Sequence, residues 1–173
     1  MANGLDAVLD AAIELRKRGD RTIAIELIGD GKLKPGLKHR AELENLTNVS
    51  FTEPIPKTTL ASRLADADIG LMVLANVPAF YYGTSPNKFF DYLASGLPII
   101  CNYPGWVAEL IREHGCGIAV GPGNPMAFAD ALQFLASDPA ARRQMGDRAR
   151  RLADEFDRTR LAERFVSCLE TAQ

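Results

Sequence analysis

The stretch SPNKFFDYLASGLPII, Ser85 to Ile100, decides how the rest of the chain is read. Phe89, Phe90, Leu93 and Ala94 recur at helical spacing, and the spacing predicts a helix from Pro86 to Ser95. Ser85 is placed to cap it, with Pro86 at the first helical position, where its fixed φ suits the turn and its missing N–H is not needed. Gly96 and Pro98 stop the helix. LPIIC, Leu97 to Cys101, then runs apolar throughout, the pattern of a strand buried on both faces. IGLMVL, Ile69 to Leu74, has the same character upstream, and Asn76 to Pro86 between them shows no period and reads as a long loop. Two such strands joined through a helix make one crossover of a parallel sheet.

The same alternation extends in both directions. Leu5, Val8, Leu9, Ala12 and Ile13 mark an amphipathic helix, with Arg16, Lys17 and Arg18 in its last turn before Gly19. Thr22 to Gly29 is a β-rich run ending in the turn Gly29-Asp30-Gly31. A polar helix from about Leu37 to Leu46 and a short strand from Asn48 to Phe51 follow. Pro54 and Pro56 frame a loop, and Thr58 or Thr59 is placed to cap a helix running to about Ala65. Downstream come a helix from Gly105 to Glu113, a strand from Cys116 to Val120 and the turn GPGNP. Helices from Pro125 to Ala136, Pro139 to Glu155 and Thr159 to about Thr171 close the chain. The expected fold is α/β, a Rossmann-like parallel sheet covered by helices on both faces, forming a single domain over residues 1–173. A doubly wound unit ordinarily opens on a strand, so either a first strand is lacking ahead of the helix at Leu5, the reading favoured, or that helix merely flanks the sheet.

Composition narrows the function. The chain has 173 residues, 47% of them hydrophobic and 24% charged, and a formal net charge of −2. That is a globular composition, for which about 8,300 Å² of surface is expected on folding, and it lacks the basic excess of a nucleic-acid binder. Three widely spaced cysteines suit reduced thiols, with Cys101 and Cys168 expected as small buried hydrophobes. His39 and His114 are expected at the surface and, with no CxxC or HExxH, no metal site is expected. No apolar run reaches the roughly 18 residues of a membrane span, and the opening MANGLDAVLDAA is not a signal peptide. A soluble, cytoplasmic protein is the expectation.

Ligands of open α/β sheets bind beyond the carboxyl ends of the strands. Three loops leave such ends: Gly29 to Gly31, Pro54 to Pro56, and Tyr81 to Lys88. The last leads into a helix whose first-turn N–H groups and Lys88 together suit a phosphate. Asn87, Lys88 and Asp91 can share one face, and a carboxylate there can accept from the vicinal diol of a ribose. The competing reading is an ordinary helix with a solvent ion pair between Lys88 and Asp91. Tyr81 and Tyr82 are candidates to line a ligand loop, and Trp106, at a helix start, is expected to pack against a partner domain.

Taken in order, LIGDG (Leu27 to Gly31), NVSFTEPIP (Asn48 to Pro56), SPNKFFDYLASGLPI (Ser85 to Ile99), GWVAE (Gly105 to Glu109) and GIAVGPGNPMAFADAL (Gly117 to Leu132) resemble the carboxyl-terminal domain of family 4 glycosyltransferases of the GT-B type. The resemblance extends over essentially the whole chain, and the SPNK variant is closest to bacterial enzymes of surface-polysaccharide and lipopolysaccharide synthesis. It implies a retaining hexosyltransferase-type enzyme whose donor is a nucleoside diphosphate sugar, UDP-sugar favoured, with no further cofactor and no metal. It also implies a partner: an amino-terminal acceptor domain that precedes this one, supplies much of the cleft, receives the glycan or lipid-linked acceptor and works at the inner face of the membrane. The fragment alone is then expected to bind nucleotide and to be inactive.

Carried over by position, Asp91 holds the ribose hydroxyls, Lys88 with Ser85 and Asn87 meets the diphosphate, Gly29 and Gly31 approach the nucleotide, and the backbone at Ile55 frames the base. Lys88 and Asp91 are the residues assigned to catalysis. The sequence departs from the family pattern at several positions. Asp91 stands where glutamate is commoner, Gly83 where the first of two paired glutamates belongs, and Glu53 where glycine is common. Trp106 stands where a second glycine is usual, and Asn3-Gly4 where a basic pair often follows the first strand. A related sugar-nucleotide epimerase needs acidic and histidine residues in the cleft that this sequence does not display. A response-regulator-like binding module needs an acidic cluster, and LIGDG offers only Asp30.

Overall fold

A computed structural model describes residues 4–171. The expectations at Met1 to Asn3, including the Asn3 half of the Asn3-Gly4 position, lie outside the described residues. Helix α1 (Asp6–Lys17) buries Val8, Leu9, Ala11, Ala12 and Leu15 along one stripe. Its last turn closes through Gly19 N–H to the Arg16 carbonyl and Asp20 N–H to that of Leu15. Then follow β1 (Ile25–Ile28), α2 (Lys34–Leu43), β2 (Val49–Thr52), α3 (Lys57–Ala65) and β3 (Gly70–Met72). Next are α4 (Ala79–Gly83), α5 (Asn87–Ser95), β4 (Ile99–Cys101), α6 (Trp106–His114) and β5 (Gly117–Ala119). The chain continues with α7 (Pro125–Ser137), α8 (Pro139–Ala153), a 3-10 turn at Asp154–Phe156, and α9 (Arg158–Thr171).

All strand pairings are parallel. β1 pairs β2 with Ile25 opposite Val49, and β3, β4 and β5 form a second group with Gly70 opposite Ile99 and Ile99 opposite Gly117. Among the described residues β1 and β3 share no pairing. Their side chains nevertheless enter one core, because Ile25 of β1 and Leu71 of β3, with Val73 and Ile100, pack with Leu9, Leu15, Phe128 and Leu132 of α1 and α7. On the opposite face Met72, Ile99 and Cys101 pack with Phe89, Leu93, Val107, Ile111 and Leu152 of α5, α6 and α8. Successive strand residues point to opposite faces, so a strand covered on both must be apolar at every position. Ile99, Ile100 and Cys101 are each 0% exposed. The uninterrupted LPIIC run follows from that, and the α/β, two-faced architecture holds as read.

Several local expectations are corrected. α2 starts at Lys34, ahead of Leu37, because Pro35 sits in its first turn, where a missing N–H costs nothing. Pro56, not a threonine, occupies the cap of α3, and Thr58 and Thr59 lie inside the helix. The stretch Asn76 to Pro86 is not all loop, since it contains α4. Cys168 is exposed on α9, whereas Cys101 and Cys116 are buried and burial pushes both thiols up to about 11.

Side chains cap the starts of α7, α8 and α9, the last through Asp157, which accepts from the N–H groups of Thr159 and Arg160 at 3.0 and 3.1 Å. Asn124 accepts from the Ala127 N–H at 3.0 Å, and Asp138 accepts from those of Ala140 and Ala141 at 3.0 and 2.9 Å. Asp138→Ala therefore removes two bonds from one helix end and is expected to lower stability by about 1 kcal/mol, read as a shifted urea midpoint at unchanged slope. The accessible surface is 10155 Å², above the expectation for a compact domain of this length, and α9 supplies a physical reason. Every described residue of that helix is exposed, including Leu161, Phe165, Val166 and Leu169. Among the described residues, no helix is long and apolar enough to cross a membrane.

Candidate functional site

The site is built on the segment that leaves β3, passes through α4 and enters α5 on the carboxyl side of the strands. Pro86 itself takes the cap position of α5 in an extended conformation, φ −79° and ψ 119°, which leaves Ser85 one residue too far out. The expected Ser85 cap is thus absent, and no side chain caps the helix. The Phe89 N–H reaches the Pro86 carbonyl at 3.0 Å, while the N–H groups of Asn87 and Lys88 belong to the turn that has no intrahelical acceptors. An uncapped first turn with its positive dipole end outward is suited to an anion.

Lys88 stands in that turn and is half-buried. Burial lowers its pKa from the ordinary lysine value, and among the described residues it makes no ion pair with a carboxylate. Asp91, one turn on, is exposed, and its charge adds to burial in raising the Tyr92 hydroxyl. The ion pair of the competing reading is therefore not what occupies Lys88. Asn87 and Ser85 are exposed beside it. The other face of α5 is anchored by Phe89 and Leu93, both 0% exposed, and its end by Gly96 in the left-handed conformation, φ 68°.

A clamp holds the approach to α5 against α6. The Trp106 indole N–H donates to the Thr84 carbonyl at 2.9 Å, and the Tyr82 hydroxyl donates to Glu109 at 2.9 Å. Tyr81 is buried, stacks on Tyr103 at 6.3 Å between centroids and bonds through its hydroxyl to Asn76. Trp106 packs on Phe89 and Phe90 and is half-buried. Asn102 is buried at 4% exposure, and its side chain bonds both the N–H and the C=O of Leu74, joining the ends of β3 and β4.

The second group of candidates lies at the ends of β1 and β2. Gly29 N–H donates to the Thr52 carbonyl at 3.1 Å, and Asp30 accepts from the Gly31 N–H at 2.7 Å. Lys34 ties this turn to the next loop: its ammonium donates to the carbonyls of Gly29 and Thr52 at 2.8 and 3.2 Å and to Glu53 at 2.8 Å. Ile55 follows, half-buried between two prolines. The structure thus brings Gly29, Gly31 and the strand leading to Ile55 together through Lys34, and places Ser85, Asn87, Lys88 and Asp91 at the start of one helix. Among the described residues no hydrogen bond or ion pair links the two groups. Lys34 escaped the sequence reading, which singled out Trp106 but not its bond to Thr84. Lys34 precedes a Pro-Gly pair that looks like a turn. Among the described residues, no three or more His, Cys, Asp or Glu gather as a metal-binding group.

Comparison with known proteins bears on the family and the fold. A family model described as glycosyl transferases group 1 matches residues 1–138. The D-inositol 3-phosphate glycosyltransferase of Corynebacterium diphtheriae is 26% identical over 175 residues, covering 95% of this chain and 38% of its own. The alpha-D-kanosaminyltransferase of Streptomyces kanamyceticus is 25% identical over 150 residues, covering 84% and 36%. The chain therefore spans little more than a third of the length of these relatives. Among solved structures, Anabaena HepE in complex with UDP superposes at a TM-score of 0.80 over 98% of this chain and 45% of its own, at 16% identity. The C-terminal domain of a glycosyl transferase group 1 family protein from Francisella tularensis superposes at 0.69 over 88% and 78%, at 22% identity. At these identities the likeness is one of fold.

Proposed function

The chain belongs to the group 1 glycosyl transferases, and from that membership we propose that it is the donor-binding half of a retaining enzyme of the family 4, SPNK-bearing type. It binds a nucleoside diphosphate sugar, UDP-sugar by preference, and with an amino-terminal acceptor domain transfers the sugar to a glycan or lipid-linked acceptor of the cell surface. It does so on the cytoplasmic side of the membrane. The observation that supports this most is the first turn of α5: uncapped N–H groups beside a half-buried ammonium that, among the described residues, makes no ion pair. The co-crystallised UDP of the Anabaena relative is consistent with a nucleotide ligand for this fold.

In this reading Lys88 and the first-turn N–H groups hold the diphosphate and stabilise the negative charge that grows on it as the glycosidic bond breaks. Asp91 accepts from the ribose hydroxyls. Gly29 and Gly31 allow the nucleotide to approach, the backbone at Ile55 lies along the base, and Ser85 and Asn87 contribute polar contacts to the diphosphate. A retaining glycosidase places two carboxylates about 5 Å apart. No such pair was identified in the sequence, and front-face reaction on the donor is the mechanism proposed. Calorimetric titration of the chain with UDP, GDP and ADP, without added metal, tests the reading. UDP is expected to bind selectively, and Asp91→Ala is expected to weaken it by about 1.5–3 kcal/mol, the worth of hydrogen bonds to a charged group. Absence of binding by all three nucleotides overturns the proposal.

A further inference from the structure

Trp106, the sole tryptophan of the chain, holds the entry of α5 from both sides. Ahead of the helix its indole N–H donates to the Thr84 carbonyl at 2.9 Å. Within the first turn its ring lies edge-on to Phe89, 5.7 Å between centroids at 87°, and near-parallel to Phe90 at 6.3 Å and 30°. Phe90 is backed by Phe156 at 5.1 Å. Between these anchors run Ser85, Pro86, Asn87 and Lys88. Pro86 has no N–H to donate, and the helix start carries no side-chain cap, so the local chain supplies little to fix this segment. Thr84 is extended, φ −109° and ψ 135°, and the indole N–H takes its carbonyl.

We propose that Trp106 is a positioning residue for the anion site at the start of α5, setting where the Lys88 ammonium and the first-turn N–H groups stand. The proposal rests on the reading of that turn as the diphosphate site. Trp106 touches no ligand in this account and acts through Thr84, Phe89 and Phe90.

Trp106→Phe keeps an aromatic ring and removes the donor. UDP affinity, by calorimetry, is expected to fall about 5-fold, the worth of one neutral hydrogen bond. In a Lys88→Ala background the same change is expected to cost less than about 2-fold, because residues acting as one unit are not additive. A merely structural tryptophan predicts equal losses in both backgrounds. Hydrogen exchange of the ligand-free chain reads the same hold directly: residues 84–92 are expected to exchange at least about 5-fold faster in the variant, with α7 unchanged. Should Trp106→Phe loosen the whole protein, the tryptophan isostere with sulfur in place of the N–H repeats the test with packing retained. Additive losses, or unchanged exchange at 84–92, overturn the proposal while UDP binding by the unaltered chain leaves the site reading intact. Failure of the unaltered chain to bind UDP, GDP and ADP overturns both.

Discussion

Lys88→Ala is expected to cost nucleoside diphosphate binding about 2 kcal/mol, roughly 30-fold, because it leaves the anion without its charged partner in a partly desolvated site. The same residue predicts an unusual pH profile. Its pKa is lowered by burial in the ligand-free protein, whereas the anion binds the protonated form. Affinity therefore falls as pH rises through that lowered pKa, beginning below the range of an ordinary lysine near 10.5. The terminal phosphate, whose last ionisation is at about pH 6, is constant over that window. Lys88→Arg stays charged throughout and is expected to flatten the profile. Calorimetry from about pH 7 to about pH 10 decides it: a profile shared by the unaltered chain and the arginine variant removes Lys88 from the site. Linkage gives the opposite sign for folding. The ligand-free folded state binds fewer protons at Lys88 than the unfolded chain between the lowered pKa and 10.5, so this group's contribution to stability increases with pH across that interval.

Gly105→Ala is expected to destabilise the fold by about 3 kcal/mol, a fall in Tm of roughly 6–12 °C for a chain of this size. Two penalties combine there. Gly105 holds φ +118°, a conformation that L side chains rarely adopt, and an added Cβ comes within 2.3 Å of the Tyr81 carbonyl oxygen and 2.9 Å of its carbon. Backbone cannot swing aside as the end of a long side chain can, so α4 and α6 must part. That separation also strains the Tyr82–Glu109 and Trp106–Thr84 bonds, and a loss of UDP affinity is expected to accompany the loss of stability. Gly121→Ala is the control. A Cβ at Gly121 meets nothing within 4 Å and its φ is unremarkable, so its effect is expected within about 0.5 kcal/mol.

How much of this was legible in advance follows from the range of each interaction. The periodicity of Leu5 to Ile13, the doubly apolar run Leu97 to Cys101, and the helix starts at Pro125 and Pro139 are local signals, and each became the element it indicated. Local capping rules failed where a proline moved the boundary. Pro86 displaced Ser85 and Pro56 displaced the two threonines, because an extended proline occupies the cap position itself. The short helix α4 was hidden for a different reason. Its residues are held by contacts to α6 and to Asn76 rather than by an apolar stripe of their own.

Asn87, Lys88 and Asp91 on one helix, the glycine turn after β1, and the parallel α/β order were determined by the sequence alone, since spacing along a helix or strand dictates which side chains share a face. Only the tertiary structure decided that Lys88 lies half-buried and, among the described residues, outside any ion pair, that Lys34 spans from Gly29 to Glu53, and that Trp106 turns inward to hold Thr84. Those outcomes depend on which elements pack against one another, and no local pattern in the chain records that.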